Sequence, residues 1–193
     1  MDAVEWDERY RSADRLWSVQ PNQFVEDRLA GHAPGVGVDL AAGEGRNAIW
    51  LASVGWKMTA VDFSSVAIER GIAHSDEVEW VVADVLEWEP EEPLDLVLIA
   101  YLHLVPDDFE RLIRRVVTWL APGGELLMIG HDRSNIESGY GGPQYPEILW
   151  VAEEILPLVE GLEIIEAGVV ERQVDLGEEA ATALDTLVWG RAP

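Results

Sequence analysis

V-G-V-D-L-A-A-G-E-G-R-N-A-I-W, residues Val36 to Trp50, is the stretch that decides how this chain folds. A short apolar run, Val36 to Leu40, carries one acid at Asp39 and breaks into small residues and glycines. A helical pattern follows, with Ala48, Ile49, Leu51 and Ala52 as its apolar members. Strand, glycine turn, helix is the local plan of a site for a nucleotide-like cofactor. Gly43 and Gly45 allow a sharp turn and a close backbone approach to a ligand, and the new helix presents free N–H groups to it.

Working outward, the same plan repeats. Gly31, Pro34 and Gly35 break the chain before the first strand, and Gly55 stops the first helix of the core. Lys57–Val61 reads as a second strand ending on Asp62, with Ser64 or Ser65 capping a helix that ends near Gly71. Glu79–Val82 is a third strand, followed by Asp84 and Val85. L-D-L-V-L-I-A at 94–100 is nearly continuous in apolar residues, as a strand buried on both faces should be. Asp107–Leu120 has Phe109, Leu112, Ile113 and Val116 at helical spacing, and Pro122-Gly123-Gly124 turns into a fifth strand over Glu125–Gly130. A polar glycine-rich loop, a helix from about Pro146 to Val159 and two late strands near 162–174 and 183–190 complete the reading.

Strands alternating with helices predict an α/β chain: a Rossmann-like, doubly wound, mostly parallel seven-stranded sheet. The last two strands, joined by a short polar link, should form an antiparallel C-terminal hairpin. The 193 residues fit one domain, with residues 1–35 as an N-terminal helical lid segment and 36–193 as the core. Ligands of such sheets bind at the carboxyl ends of the strands, so the glycine turn, Asp62, Asp84, Ala100–His103 and His131 are expected on one rim.

The net charge of −24 argues against nucleic acid and against an anionic membrane surface, because both select for clustered Lys and Arg. Of 13 basic residues only Lys57 is a lysine. No signal peptide or membrane span is evident, and there is no cysteine for a disulfide or a thiolate site. A cytoplasmic protein without a metal site, monomeric or homodimeric, is the expectation.

Two cofactor classes fit the turn. G-E-G-R-N-A at 43–48 matches G-x-G-x-x-G/A, and Asp62 stands near the distance of a ribose-binding acid, as in NAD enzymes. The charges favour a phosphate-free ligand. Asp39 and Glu44 would flank a pyrophosphate, whereas S-adenosylmethionine presents an ammonium and a sulfonium. An NAD-binding oxidoreductase, or a protein that binds the cofactor without turnover, remain the alternatives.

The ordered motifs resemble those of class I S-adenosylmethionine-dependent methyltransferases, especially the tellurite-resistance and thiopurine small-molecule branch. The likeness runs from W-D-E-R-Y at Trp6 to the late hairpin, and D-L-A-A-G-E-G-R-N has Ala41 where that family often has its first glycine. The resemblance implies methyl transfer to a small molecule by in-line displacement. It places the ribose acid on Asp62, the adenine acid on Asp84 in V-V-A-D-V, and the entry to strand five on L-A-P-G-G-E-L. Asp39, Ala41, Gly43, Gly45, Asn47, Phe63, Val85 and Ala100 complete the expected cofactor set, with Trp6, Tyr10 and Asn22 closing over it. On the acceptor side, His131, His103 and Tyr101 are the candidate catalytic residues, because they follow strands at the rim and histidine can exchange a proton near neutral pH. Trp17, Tyr140 and Tyr145 are candidate substrate contacts on the N-terminal segment and the glycine-rich loop.

Overall fold

The computed structural model of the protein describes residues 2–13, 16, 18–177 and 180–193. Seven strands form one sheet: β1 (Val36–Leu40), β2 (Lys57–Asp62), β3 (Glu79–Val82), β4 (Leu94–Ala100), β5 (Leu120–His131), β6 (Glu163–Asp175) and β7 (Ala180–Arg191). Their order is β3-β2-β1-β4-β5-β7-β6. β1, β2 and β3 pair in parallel, while β7 pairs antiparallel with both β5 and β6. The expected sheet and its C-terminal hairpin are both present. No helix among the described residues is long and apolar enough to cross a membrane.

The chain divides into two compact units, Met1–Leu98 and Ile99–Pro193. In the first, α1 (Ala3–Arg11) opens with a capping box in which Asp2 and Glu5 exchange side-chain and backbone bonds. α2 (Gln23–Leu29) begins after Asn22, whose side chain accepts from the Phe24 N–H. α3 (Arg46–Ser53) has no side-chain cap and starts from Gly45 in a left-handed conformation. α4 (Ser65–His74) is capped by Ser64 and runs past the expected stop at Gly71. That glycine is there for packing: a Cβ on Gly71 would run into the Trp80 ring. Val38, Leu40, Ala60, Val61, Leu96, Val97 and Leu98 are fully buried and form the middle of this unit.

In the second unit, α5 (Pro106–Val117) buries Leu112, Ile113 and Val116. β5 starts earlier than expected, at Leu120, but its ladder with β7 begins only at Glu125, beyond the bend at Gly123. After the four-residue α6 (Asn135–Ser138), the expected long helix over 146–159 is replaced by short pieces. These are a 3-10 turn at Pro146–Ile148, α7 (Ala152–Ile155) and a second 3-10 turn at Leu156–Val159. The reason lies at Trp150, which is extended: its N–H donates to the His131 carbonyl and its own carbonyl accepts from the Arg133 N–H. Those two bonds compete with the helical ladder and win.

Candidate functional site

In the first unit the glycine turn is tight. Ala41, Gly43 and Gly45 all have positive φ, at 55°, 58° and 75°. Ala41 therefore occupies a conformation that glycine adopts at lower cost, which is the physical reason for glycine at that place in related motifs; the strain is about 1 kcal/mol. The glycines are enforced by protein neighbours. A Cβ on Gly43 would press on the Tyr10 hydroxyl, and one on Gly45 would collide with the Trp80 ring. The close approach expected for a ligand is, at these two points, an approach of Tyr10 and Trp80.

Asp39 lies at the foot of this turn, 1% exposed. The Ala48 N–H donates to its carboxyl, but Oδ2 is buried without a partner. Burial pushes its pKa up to about 7, against the attraction of Arg46. A buried carboxylate oxygen lacking a partner costs free energy that a cationic ligand group would recover. Asp62 is also buried; Oδ2 accepts from the Gly43 N–H and Oδ1 from the Ser64 N–H. Burial raises its pKa, partly offset by these two bonds. Each oxygen can accept again, so the turn-fixing role and a ligand role are compatible. Glu44 is paired to Arg70 at 3.2 Å, so its charge is compensated and does not count toward cation preference.

Asn47 accepts from the Asn22 N–H at 2.8 Å, tying α2 to the start of α3. Asp84 is exposed, and its Oδ1 accepts from the Leu86 N–H in an Asx turn beside buried Val85. Phe63 is half-buried next to Asp62. Trp6 and Tyr10 have ring centroids 5.8 Å apart on α1, and the Arg9 guanidinium sits 5.0 Å over the Trp6 ring. That cation occupies one face of the Trp6 ring. α1 is anchored by Asp7, which accepts from the Ser64 and Ser65 hydroxyls and the Val66 N–H. Trp17 lies outside the described residues.

In the second unit, Tyr101, His103 and His131 come together, and they do so around two residues that sequence reading missed. Asp185 on β7 is fully buried. Its Oδ1 is 3.1 Å from His131 Nδ1, and its Oδ2 accepts from the Tyr101 hydroxyl at 2.6 Å and from Arg172 Nε at 2.7 Å. Burial would raise the Asp185 pKa, but the bonds from His131, Arg172 and Tyr101 outweigh it and hold the carboxyl below its ordinary value. Tyr101 has φ 61°, a conformation that costs a bulky residue about 1–2 kcal/mol, and its N–H donates to the Ile129 carbonyl at 2.7 Å. His103 stacks on His131 with centroids 5.4 Å apart and planes 9° from parallel, and its Nδ1 bonds the Ile148 carbonyl. Burial, then the neighbouring His131, push the His103 pKa down to about 4. The ring is held neutral, with Nδ1 at the Ile148 carbonyl and Nε2 buried without a partner.

Asp132 follows His131 in the chain and bonds to other residues. Its Oδ1 accepts from Ser134 and its Oδ2 from Thr186, so it fixes the following loop. That loop is tied down despite its glycines: Asn135 donates to the Gly141 carbonyl and accepts from the Leu184 N–H. Tyr140 and Tyr145 are 46% and 65% exposed on it. Ala100 is half-exposed at the end of β4.

Residues 38–124 match the methyltransferase domain family. Nodulation protein S of Rhizobium tropici is 27% identical over 173 residues, covering 81% of this chain and 71% of that protein. Trans-aconitate 2-methyltransferase of Shigella flexneri serotype 5b is 34% identical over 125 residues, 63% of this chain, and the chain spans only 45% of that enzyme. Among solved structures, the N-methyltransferase NodS of Bradyrhizobium japonicum bound to S-adenosyl-L-homocysteine superposes with a TM-score of 0.73 at 22% identity, over 100% of both chains. TehB of Haemophilus influenzae superposes with 0.74 at 14% identity, over 99% of this chain and 67% of that one.

Proposed function

We propose that this chain is a class I S-adenosylmethionine-dependent methyltransferase that methylates a small neutral or cationic molecule. The observation that carries the cofactor side is Asp39: a buried carboxylate oxygen without a partner, at the foot of a glycine turn, awaits a positive group rather than a phosphate. Asp39 with the 41–45 backbone would hold the ammonium-bearing end of the cofactor, Asp62 the ribose and Asp84 the adenine amino group. Bound there, S-adenosylmethionine supplies a methyl group on a sulfonium, whose carbon–sulfur electron pair leaves with sulfur. The chain's own work is then to align an acceptor, exclude water and accept a proton where the acceptor carries one. His131, with Tyr101 beside it, is the candidate for that last task, and Tyr140 and Tyr145 are candidate acceptor contacts. The charge of −24 favours a neutral or cationic acceptor over a polyanion.

Thermal denaturation tests this reading. S-adenosylmethionine or S-adenosylhomocysteine should raise Tm, and NAD should not. Stabilisation by NAD alone would transfer the turn to the oxidoreductase reading. Binding without turnover against a broad panel of amines, phenols, thiols and chalcogen oxyanions would make the protein a cofactor binder.

A further inference from the structure

We propose, resting on the methyl-transfer reading, that Asp185, Arg172 and Tyr101 are positioning residues that hold His131 as a general base. The acceptor it serves then presents a nitrogen or oxygen still carrying its proton, rather than a carboxylate. Strand register brings these groups together. His131 and Asp185 are directly opposed across β5 and β7, and Asp185 opposes Val170 on β6. Arg172, two residues beyond Val170, falls on the same face of β6. Three strands thereby deliver an imidazole, a carboxylate and a guanidinium to one point.

Asp185 is acceptor-only, so the 3.1 Å contact requires the His131 proton on Nδ1. Nε2 is left with its lone pair. It makes no hydrogen bond among the described residues, and the His131 side chain is 16% exposed. The ring cannot swing away easily. His103 stacks on it, the Tyr101 ring lies 4.9 Å from it, and a Cβ on Gly142 would sit 3.1 Å from its atoms. A base held in one tautomer and one orientation is the arrangement that general-base catalysis needs.

The charges identify the acceptor class. The groups facing His131 are Tyr101, His103, Asp185 and Arg172, while Asp132 is turned to Ser134 and Thr186. Arg172 is committed to Asp185 and lies over the Tyr101 ring, so the cluster's cation is already matched by its anion. A carboxylate acceptor would find no spare positive charge in this cluster and would need no base. An amine, phenol or alcohol passes its proton to Nε2, and its lone pair takes the methyl group. Asp185 keeps its bond to the imidazolium Nδ1–H until the Nε2 proton leaves to water.

Nitrogen-detected NMR of histidine in the full chain, without cofactor, reads the tautomer directly. The wild type should show His131 as the Nδ1–H form, and Asp185→Asn should shift it toward a mixture or the Nε2–H form. An Nε2–H wild-type ring would overturn the inference. Should Asp185→Asn not fold, Tyr101→Phe and Arg172→Gln leave the carboxylate in place; each should keep the Nδ1–H form and lower kcat with KM little changed, and unchanged kcat in both would overturn their positioning role. In turnover, a panel of amines and phenols should be methylated at least 10-fold faster than carboxylates. Asp185→Asn should lower kcat 10- to 1,000-fold with KM little changed, and should move the acid limb of the pH profile. Faster methylation of carboxylates, or full turnover by His131→Gln, sinks the base. Absence of S-adenosylhomocysteine binding to the wild type would instead sink the underlying reading, whatever the tautomer.

Discussion

Replacing Asp39 with asparagine isolates the cost of a buried carboxylate and its use. Burial raises the Asp39 pKa from 3.8 to about 7, so between these values the folded protein holds a proton that the unfolded chain has released. Stability from this group is therefore full below pH 4 and falls as pH rises to 7, after which it is constant. At about 1.4 kcal/mol per pH unit, the total loss is about 4 kcal/mol, of which about 3 kcal/mol falls between pH 5 and pH 8. The amide introduced by Asp39→Asn cannot ionise, so the variant lacks this slope. The assay is urea denaturation of both proteins at pH 5 and pH 8. The stability difference, variant minus wild type, should be about 3 kcal/mol more favourable to the variant at pH 8 than at pH 5. The same variant should bind S-adenosylhomocysteine 10- to 100-fold more weakly, since a hydrogen bond to a charged group is worth about 1.5–3 kcal/mol. A stability difference independent of pH would refute the burial argument. Unchanged affinity would refute the assignment of the orphan oxygen to the ligand.

Other variants probe the turn and its supports. Asp62→Ala removes the acceptor for the Gly43 and Ser64 N–H groups. It should weaken cofactor binding by about 1–3 kcal/mol, read by calorimetry, and equal affinity to wild type would count against it. Gly45→Ala places a methyl group against Trp80 at φ 75° and should cost about 2–4 kcal/mol in denaturant unfolding. Asp7→Ala removes the acceptor that joins α1 to the start of α4. It should cost about 1 kcal/mol and speed tryptic cleavage at Arg11; an unchanged cleavage rate would show that α1 is held by other contacts.

The fold was legible wherever a local pattern carried it. Leu94–Ala100 read as a doubly buried strand because no polar alternation interrupts it, and Leu96 to Ile99 are fully buried. α5 followed from one apolar stripe. The stretch from 146 to 159 failed because its helical spacing was real but its backbone was claimed elsewhere. Trp150 bonds to residues 131 and 133, and its ring fills the space that a Cβ on Gly130 would enter. Pairing with a segment almost twenty residues upstream overrides local spacing, and nothing in the stretch itself announces such a partner.

The site divides along the same physical line. Asp39 stands out because an acid inside V-G-V-D-L has no local reason to be there, and in the structure its Oδ2 is buried without a partner. Asp185 sits in A-L-D-T-L-V, which carries the same signal, an acid within an apolar strand. Its meaning depends on who stands opposite, and His131 lies 54 residues earlier. Arg172 is harder still: on an edge strand with alternating exposure it looks like any solvated side chain until β7 places Asp185 beside it. The glycine turn is a contiguous motif, so it can be read in one dimension. The His131 cluster is a product of strand register, and register becomes fixed only when the hairpin is paired. Buried acids inside apolar strands are therefore the feature to follow in both halves, since desolvation makes each of them costly unless a partner or a ligand arrives.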